Sequence, residues 1–434
     1  MKLYSSYKDS GVEWIGEIPN DWSLKKVKYL FSTEKNQISV KEFEDNEVIH
    51  YSIPNVQEFG KGQLENGNDI DSSKLLLNGN ELLVSRLNPR KKTVCISEPD
   101  NEHMILGSGE FIVLVPNGIN LEYCYYQFVT GGMTQNLDSL VESVTKSHQR
   151  VRPERVFNTL YIKPPKDEIE RIVSFLDTKT QKIDELIEKT EQKIELLKGK
   201  RTSLINHCVT KGLNPNVEMK DSGVEWIGEI PSHWEVKPIK YISDYNQDSL
   251  GSDTPSEYEL DYLEISDVNS VGEIGKPTHY TFSKSPSRCR RILNKNDIII
   301  STVRTYLRSI GFIENEVQNL ICSTGFCVLT PKNMIEPKLL FYLVRSEWFI
   351  SKVISKSVGV SYPGIQTEKL MSIKVLLPPI SEQTQIVEYL DEQTQKIDST
   401  IEKETQRTEL LKEYRQSLIS EVVTGKVDVR DWKE

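Results

Sequence analysis

Residues Asp9–Pro19 spell DSGVEWIGEIP, and the same eleven letters return without a change at Asp221–Pro231. The two copies are 212 residues apart, and Trp22 and Trp234 extend the match beyond them. An identity of this length in register does not arise by chance, so the chain is a tandem duplication. The repeat decides the fold, because each copy is expected to form the same structural unit.

A second pair of repeated blocks follows the double prolines Pro164-Pro165 and Pro378-Pro379. The first block contains IVSFLDTKTQKIDELIEK and ELLKGKRTSLI, and the second contains IVEYLDEQTQKIDSTIEK and ELLKEYRQSLI. In both, seam residues recur at alternating steps of three and four over more than four heptads. This pattern predicts two long helices that pack on each other. The residues predicted to pair the helices are Leu176, Ile183, Ile187, Ile194, Leu197, Leu390, Ile397, Ile401, Leu411 and Leu418.

Local signals mark where these helices begin and end. Asp167 with Glu170 resembles a capping box at the first start, and Ser381 is a candidate N-cap for the second. Gly212 and Gly425 mark the far ends. An alternative remains open, in which each helix packs only against its own globular domain.

Between the repeated blocks the halves diverge in sequence but keep one pattern of elements. Short β-branched and apolar runs bounded by Gly, Asn and Pro predict strands, and the apolar segments after them predict helices. The corresponding runs are Leu77–Ser85 and Leu293–Ser301, Glu110–Pro116 and Gly325–Pro331, and the helical segments Leu121–Val129 and Pro337–Ser355. The expected fold class is therefore α+β, with two similar mixed α/β domains that are each followed by a long helix.

This reading divides the chain into five segments. They are a first domain at 1–166, a first helix at 167–212, a second domain at 213–380, a second helix at 381–425 and a tail at 426–434. A chain of 434 residues suits several domains rather than one core.

The composition excludes several classes of protein. No apolar run approaches the roughly 18 to 20 residues that span a bilayer, and the N-terminus lacks the apolar core of a secretory signal. We therefore expect a cytoplasmic protein. The cysteines form no CxxC pair and no zinc spacing, so we expect buried reduced thiols. They are Cys95, Cys124, Cys208, Cys289, Cys322 and Cys327.

The motifs of common DNA-modifying chemistry are missing from the sequence. There is no GxGxxG and no GxxxxGK(S/T), and the double prolines in KPPK and LPPI lack the amine acceptor and aromatic residue of an amino-methyltransferase loop. The six histidines form no metal-ligand spacing. We therefore predict no catalytic residues, no metal site and no cofactor in this chain.

The net charge of −10 argues against nucleic acid until it is divided along the chain. Residues 382–423 carry 5 basic and 10 acidic groups, so half of the excess acid belongs to the second helix. Basic residues cluster elsewhere, at corresponding places after the aligned strands. Such clusters suit phosphate contacts, and Arg can also bind guanine edges, although each cluster alone is equally typical of a solvated face. They comprise Arg86, Arg90, Lys91 and Lys92; Lys146, Arg150, Arg152 and Arg155; and Lys284, Arg288, Arg290, Arg291, Lys295, Arg304 and Arg308.

A polar loop precedes each double proline. TKSHQRVRPERV at Thr145–Val156 aligns with GVSYPGIQTEKL at Gly359–Leu370. Polar and aromatic side chains on such a loop can contact base edges, and a tight turn before a helix is the alternative. With Tyr306 from the basic segment, the candidate DNA-binding residues here are His148, Gln149, Ser361 and Tyr362.

Taken together, these blocks resemble the specificity subunits of type I restriction-modification systems. The resemblance covers essentially the whole chain and rests on GVEWIGEIP-x-x-W, on PP-x-x-E-x-x-x-IV-x-x-L-D, and on QKID with ELLK, in order and twice each. One departure is that the usual PPxxEQ is intact at Pro378–Gln383 but altered at Pro164–Ile169.

The resemblance implies two target-recognition domains and two helices that pair as an antiparallel coiled coil, related by a pseudo-two-fold axis. It also implies that the helices space the domains and dock two methyltransferase subunits, through which restriction subunits join. The ligand would be duplex DNA with an asymmetric bipartite site. S-adenosylmethionine, ATP and Mg would bind only to the partner subunits.

Two other functions are weighed against this one. The chain could be a fused or solitary methyltransferase or nuclease with an unrecognised active site, and an assay for S-adenosylmethionine binding would detect it. It could also be a structural coiled-coil adaptor, which salt-dependent, sequence-selective duplex binding by the assembled complex would exclude.

Overall fold

The computed structural model describes residues 2–33, 36–142, 149–224, 226–360 and 362–433. They form two compact units, one comprising Met1–Glu191 with Gln406–Glu434 and the other comprising Gln192–Thr405. There are two long helices, α5 (Lys166–Lys211) and α10 (Ile380–Val423). Each of them has one part in unit 1 and the other part in unit 2. The assignment of the five predicted segments as domains stays a prediction.

Unit 1 contains short strands and four short helices before α5. Its strands are β1 (Tyr7–Asp9), β2 (Glu17–Pro19), β3 (Ser23–Lys26), β4 (Phe31–Ser32), β5 (Gln37–Ile38), β6 (Glu47–Tyr51), β7 (Gln63–Asn66), β8 (Lys74–Leu77), β9 (Leu82–Ser85), β10 (Val94–Ile96), β11 (Met104–Gly107), β12 (Phe111–Pro116), β13 (Val141–Glu142), β14 (Arg150–Val151) and β15 (Leu160–Lys163). Its short helices are α1 (Ile53–Phe59), α2 (Leu121–Phe128), α3 (Gly131–Ser139) and α4 (Pro153–Asn158).

Unit 2 repeats this arrangement. Its strands are β16 (Met219–Asp221), β17 (Glu229–Pro231), β18 (Glu235–Pro238), β19 (Ser243–Tyr245), β20 (Glu259–Leu263), β21 (Thr278–Thr281), β22 (Cys289–Ile292), β23 (Ile298–Ser301), β24 (Ile310–Phe312), β25 (Leu320–Ser323), β26 (Phe326–Pro331) and β27 (Lys374–Leu377). Its short helices are α6 (Ile239–Ile242), α7 (Pro337–Arg345), α8 (Glu347–Lys356) and α9 (Thr367–Met371).

The sheets of the two units have the same strand order. In unit 1 a four-stranded sheet runs β10-β9-β12-β4, and in unit 2 its counterpart runs β24-β23-β26-β19. The second sheets, β5-β8-β11-β6-β7 and β22-β25-β20-β21, differ only by the extra strand β5. Both contain one parallel pair, β6 with β11 and β20 with β25, among antiparallel neighbours. The expected α+β class, with two similar mixed domains, is confirmed.

The identical IGEIP segments at 15–19 and 227–231 belong to the same hairpin in each unit. In unit 1, β1 pairs with β2, and Ile15 and Ile18 are buried beside Trp22. In unit 2, β16 pairs with β17, and Ile230 is buried beside Trp234. The repeated letters therefore encode a docking element for the core of each unit, because the apolar side chains that alternate along them leave water together.

The predicted heptad seam is buried in both units. In unit 1, Leu176, Ile183 and Leu418 belong to the core, with Ile187 and Leu411 partly buried against it. In unit 2, Leu390 is in the core, and Ile194 and Ile397 are buried, whereas Leu197 and Ile401 are half-buried. Four threonines of the seam, Thr180, Thr190, Thr394 and Thr408, are buried as well. The pairing of the two helices is confirmed in each unit.

Charged pairs across the seam show that the helices run antiparallel within each unit. In unit 1, Nε of Arg415 donates to Asp184 at 2.8 Å. In unit 2, Nε of Arg201 donates to Asp398 at 2.8 Å, and Lys193 pairs with Glu404 at 2.5 Å. Residue numbers rise on one helix as they fall on the other. Asp184 and Arg201 are the repeat counterparts of Asp398 and Arg415, so one pair of contacts is made twice.

The start of each long helix is fixed by a tryptophan from the repeated hairpin. The indole N–H of Trp22 donates to Glu168 at 3.0 Å, and that of Trp234 donates to Glu382 at 3.0 Å. Tyr4 also donates to Glu168. Both glutamates are the E of the repeated PP-x-x-E. The motif thus provides an acceptor for an indole that would otherwise be buried without a partner.

The predicted capping box at Asp167 and the predicted N-cap at Ser381 are both wrong. Helix α5 begins at Lys166 and α10 at Ile380, directly after the double prolines, so Asp167 and Ser381 lie inside the first turn. The Pro165 carbonyl accepts from the Ile169 N–H and the Pro379 carbonyl from the Gln383 N–H, so the second proline of each pair is the N-cap. The altered PPxxEQ also has a structural consequence, because Gln383 is buried with three backbone partners whereas Ile169 packs in the core of unit 1.

The far ends of the helices agree with the prediction. Gly212 follows α5 with φ of +73°, and Gly425 follows α10 with φ of +74°. This left-handed conformation closes a helix and favours glycine. The six cysteines are buried free thiols, and burial raises the pKa of the Cys95 thiol to about 12. In the part of the chain that the structure describes, no helix is long and apolar enough to cross a membrane.

Candidate nucleic-acid interface

A tight basic turn follows strand β9 in unit 1. Asn88 and Lys92 both have left-handed backbone conformations, with φ of +48° and +52°, and they flank a 3-10 turn at Pro89–Lys91. Positive φ is strained for residues other than glycine, and such strain persists only where the surroundings fix it. The turn therefore presents Arg90 and Lys91, both exposed, from a defined backbone.

The same turn follows strand β23 in unit 2. Arg304 and Arg308 have φ of +49° and +58°, and they flank a 3-10 turn at Thr305–Leu307. The two turns thus match residue for residue, from Asn88 and Arg304 onward. Two left-handed residues at the same spacing in both halves indicate that the backbone, and not the side chains, is the shared feature of this site.

In unit 1 the polar loop before α4 is bonded to this turn. The N–H of Asn88 donates to the Gln149 carbonyl at 2.7 Å, and the N–H of Gln149 donates to Oδ1 of Asn88 at 3.2 Å. The N–H of Val151 donates to the Arg86 carbonyl at 2.9 Å. Two segments that the sequence indicated separately therefore form one surface, which we call the unit 1 site.

In unit 2 the corresponding loop is bonded in the same way. The N–H of Arg304 donates to the Pro363 carbonyl at 2.7 Å, and the N–H of Ile365 donates to the Thr302 carbonyl at 2.8 Å. We call this surface, formed by the turn 302–308 with residues 358–360 and 362–365, the unit 2 site. Lys146, His148 and Ser361, three predicted DNA-binding residues, lie outside the described residues.

Glu110 organises the arginines of the unit 1 site. It accepts hydrogen bonds from Arg150 at 2.8 Å and from Arg86 at 3.1 Å. The bond from Arg150, supported by that from Arg86, holds the pKa of the Glu110 carboxyl below its ordinary value. Arg90 donates to the Gln149 side chain at 3.3 Å. Glu110 carries no signal in the sequence, because it is a single acidic residue directly before a strand.

The other predicted basic residues of unit 1 face different partners. Arg152 pairs with Glu142 at 2.6 Å, and Arg155 also binds Glu142. Lys92 donates to Gln416 at 3.0 Å. These three side chains therefore bind partners outside the turn, whereas Arg90 binds Gln149 within the site.

Arg304 and Arg308 differ in environment, although they flank one turn. The guanidinium of Arg304 lies over the Tyr362 ring, 4.5 Å from its centroid, and the residue is exposed. Arg308 binds both carboxylate oxygens of Glu347, with Nη2 at 2.9 Å from Oε2. Arg304 can therefore meet a ligand, whereas Arg308 ties the turn to α8.

The structure separates the remaining basic residues of unit 2 from the turn. Arg290 and Arg291 lie on β22, in the second sheet, and Arg290 stacks over Phe282 at 5.0 Å. Arg288 is exposed, and its carbonyl accepts from Thr324 N–H at 2.9 Å, next to the Gly325 carbonyl that binds Thr302. Besides Arg304 and Arg308, Arg288 is thus a member of the predicted cluster at 284–308 whose backbone adjoins the unit 2 site.

The corresponding exposed positions within the two turns carry different side chains. Arg90 and Lys91 in unit 1 correspond to Tyr306 and Leu307 in unit 2, and all four are exposed. The same turn backbone therefore carries two cationic side chains in unit 1, and an aromatic and an aliphatic side chain in unit 2.

Across 2–33, 36–142, 149–224, 226–360 and 362–433, no group of three or more His, Cys, Asp or Glu side chains is placed to hold a metal ion. What both sites provide is a rigid, preorganised surface of hydrogen-bonding, cationic and apolar side chains.

Comparisons with known proteins agree on one family. Residues 231–412 match the family described as the type I restriction modification DNA specificity domain. A putative type I restriction enzyme MjaX specificity subunit from Methanocaldococcus jannaschii is 24% identical over 431 residues, which cover 96% of either chain. The EcoKI specificity subunit of Escherichia coli is 24% identical over 206 residues, covering 46% of this chain and 44% of that one.

A solved structure has the same fold. It is a chain from a study of complex assembly and conformational transition of the type I R-M system, with a TM-score of 0.70 and 18% identity. The match covers 94% of this chain and 99% of the other.

Proposed function

We propose that the chain is a type I restriction-modification specificity subunit whose two sites each recognise one half of an asymmetric, bipartite DNA sequence. The observation that carries the proposal is the recurrence of one turn-and-loop backbone with different side chains. A surface duplicated in backbone and diverged in side chains suits two ligands of one class that differ in detail. Two unlike DNA half-sites are such ligands.

The chemistry of the unit 1 site fits duplex DNA. Arg90 and Lys91 project from a turn whose backbone is fixed by Gln149, and Glu110 orients Arg86 and Arg150. Cations held in this way can neutralise phosphates, and an arginine can donate two hydrogen bonds to a guanine edge. Since the net charge of the chain is −10, this local arrangement, and not overall charge, would direct binding.

The repeated blocks fit a second role, the docking of partner proteins. The hairpins, the helix starts and the helix-pairing residues are nearly the same in both halves, so they offer one surface twice. Two copies of one methyltransferase subunit would bind such surfaces, and restriction subunits would join through them. The chain is the non-catalytic member of the complex, with S-adenosylmethionine, ATP and Mg bound by its partners in the cytoplasm.

The test compares the isolated chain with the assembled complex. Purified chain is incubated with labelled S-adenosylmethionine and duplex DNA, and the expected result is neither cofactor binding nor methyl transfer. The complex with methyltransferase subunits is expected to bind duplexes sequence-selectively, with an affinity that falls as salt rises. Methyl transfer by the partner-free chain would instead make it an enzyme, and an assembled complex without sequence-selective binding would make it an adaptor.

A further inference from the structure

The unit 2 site exposes a cluster of apolar side chains, which we call the apolar tip. Val360 has 101% of its reference surface exposed, Val358 has 72% and Tyr362 has 67%. The turn adds three more exposed apolar residues, Val303, Tyr306 and Leu307. Exposed apolar clusters on a soluble protein mark binding surfaces more often than chance, because their hydration is unfavourable.

The apolar tip is held in place by backbone hydrogen bonds. Val358 and Gly364 exchange two of them, at 2.8 and 3.0 Å, and Gly364 also pairs with Val303 of the turn. Gly359 has φ of +122°, and a Cβ there would lie 3.0 Å from the Tyr362 carbonyl oxygen. These hydrogen bonds close the loop and attach it to the turn, so the backbone fixes its apolar side chains in exposed positions.

The comparison with unit 1 indicates what this surface contacts. At the equivalent turn positions unit 1 carries Arg90 and Lys91, so the apolar character is specific to one half. A protein partner that binds both halves would meet similar side chains in both, as it does along the repeated helices. A DNA site with two different halves would meet different ones. Divergence on a shared backbone therefore favours DNA over a protein partner.

We propose that the apolar tip recognises a thymine in the second half-site, with Val360 packing on its 5-methyl group in the major groove. The inference rests on the proposed DNA-binding function. The thymine methyl is the apolar group that base edges present in that groove, and apolar side chains are its usual contacts. Arg304, stacked on Tyr362 beside the tip, supplies a cation within the same surface. Recognition in the second half is thus partly apolar, whereas in the first it is cationic and polar.

Replacing thymine by deoxyuridine tests this directly, because it removes only the methyl group. Once the recognition sequence is known, each thymine of the second half-site is replaced in turn, and binding by the assembled complex is measured. We expect one position at which deoxyuridine weakens binding about four-fold, the effect of leaving one apolar carbon in water. The variant Val360→Ala should bind the thymine duplex more weakly and lose the difference between thymine and uracil there. The control Val271→Ala, at a valine of unit 2 that is 46% exposed, should keep that difference.

Several results would overturn the inference. A second half-site without any A·T pair would do so, as would equal binding of all deoxyuridine duplexes by the wild-type complex. So would a thymine preference that survives intact in Val360→Ala. If that variant instead loses methyltransferase subunits while keeping the preference, the apolar tip is a protein-docking surface and the proposal is wrong. Failure of the DNA-binding function itself looks different, since the complex would then lack sequence-selective binding to any duplex.

Discussion

Arg304 and Arg308 flank one turn in unit 2, and their different partners predict different mutant phenotypes. Arg304 is exposed with its guanidinium 4.5 Å from the centroid of the Tyr362 ring, whereas Arg308 forms a two-point ion pair with Glu347. We expect Arg304→Ala to weaken recognition of the second half-site only. Arg308→Ala should mainly lower the stability of unit 2, because it releases the turn from α8.

The expected magnitudes follow from these contacts. Loss of one arginine contact to a base edge costs about 1–3 kcal/mol of binding, or roughly 5- to 150-fold in affinity. The ion pair of Arg308 is partly exposed, at 40% and 38% of the two side chains. Its loss should lower the free energy of unfolding by about 1 kcal/mol, the upper end for such pairs.

The assay uses the assembled complex and three duplexes, with both half-sites intact, with the first scrambled, or with the second scrambled. Arg304→Ala should bind the intact duplex roughly 5- to 150-fold more weakly than wild type, and this difference should shrink on the duplex with a scrambled second half. Arg90→Ala is the matched control in unit 1, and it should affect the first half-site instead. Unchanged affinity and unchanged sequence preference in Arg304→Ala would refute the reasoning and place this arginine on a solvated face.

Three further predictions concern the helices and the unit 1 site. We expect a four-residue insertion after Gln192, roughly one helical turn or 6 Å, with a matched insertion after Gln406, to shift activity toward longer DNA sites. The spacer between the half-sites should be longer by about one or two base pairs. Full activity on the original spacing alone would show that the helices do not set the spacer length. Asp184→Arg should lower the free energy of unfolding by about 1 kcal/mol or more, and adding Arg415→Asp should restore most of the loss in chemical denaturation; no restoration would mean that the pair is not coupled. Glu110→Gln should lower the free energy of unfolding by up to roughly 1 kcal/mol near pH 7. Because the pKa of Glu110 is lowered in the folded state, this difference in stability should shrink as the pH falls below the ordinary pKa of 4.5. A cost that stays constant down to acid pH would contradict the role given to that carboxylate.

Much of the architecture was predictable because it is encoded by repeated, periodic sequence. The heptad steps placed Leu176 and Leu390 in buried seams, and the identical hairpin segments form identical hairpins. The glycines at 212 and 425 end their helices as expected. These features depend on contacts close in sequence or on a regular period, so the pattern of letters is enough to find them.

The sites were only partly predictable, because they depend on contacts between distant segments. Charge clustering indicated Arg90 and Arg150 as members of two separate basic clusters. These residues are 60 positions apart, and they share one site because Arg90 binds Gln149 and Arg150 binds Glu110. Sequence also could not separate Arg304 from Arg308, since the difference lies in Glu347 on another element. The sequence indicated Tyr306 and Tyr362 of the apolar tip but not Val358 and Val360, because exposed valines in a loop carry no pattern. Tertiary contacts decide these roles.

The central claim is that the two units recognise two different half-sites, and methylome sequencing of cells with the complete system tests it most directly. We predict one bipartite, non-palindromic methylated motif in the wild type. Arg90→Ala should alter or relax the first half of that motif and Arg304→Ala the second, each leaving the other half unchanged. A single continuous or palindromic motif, or a motif that persists when this chain is deleted, would contradict the account.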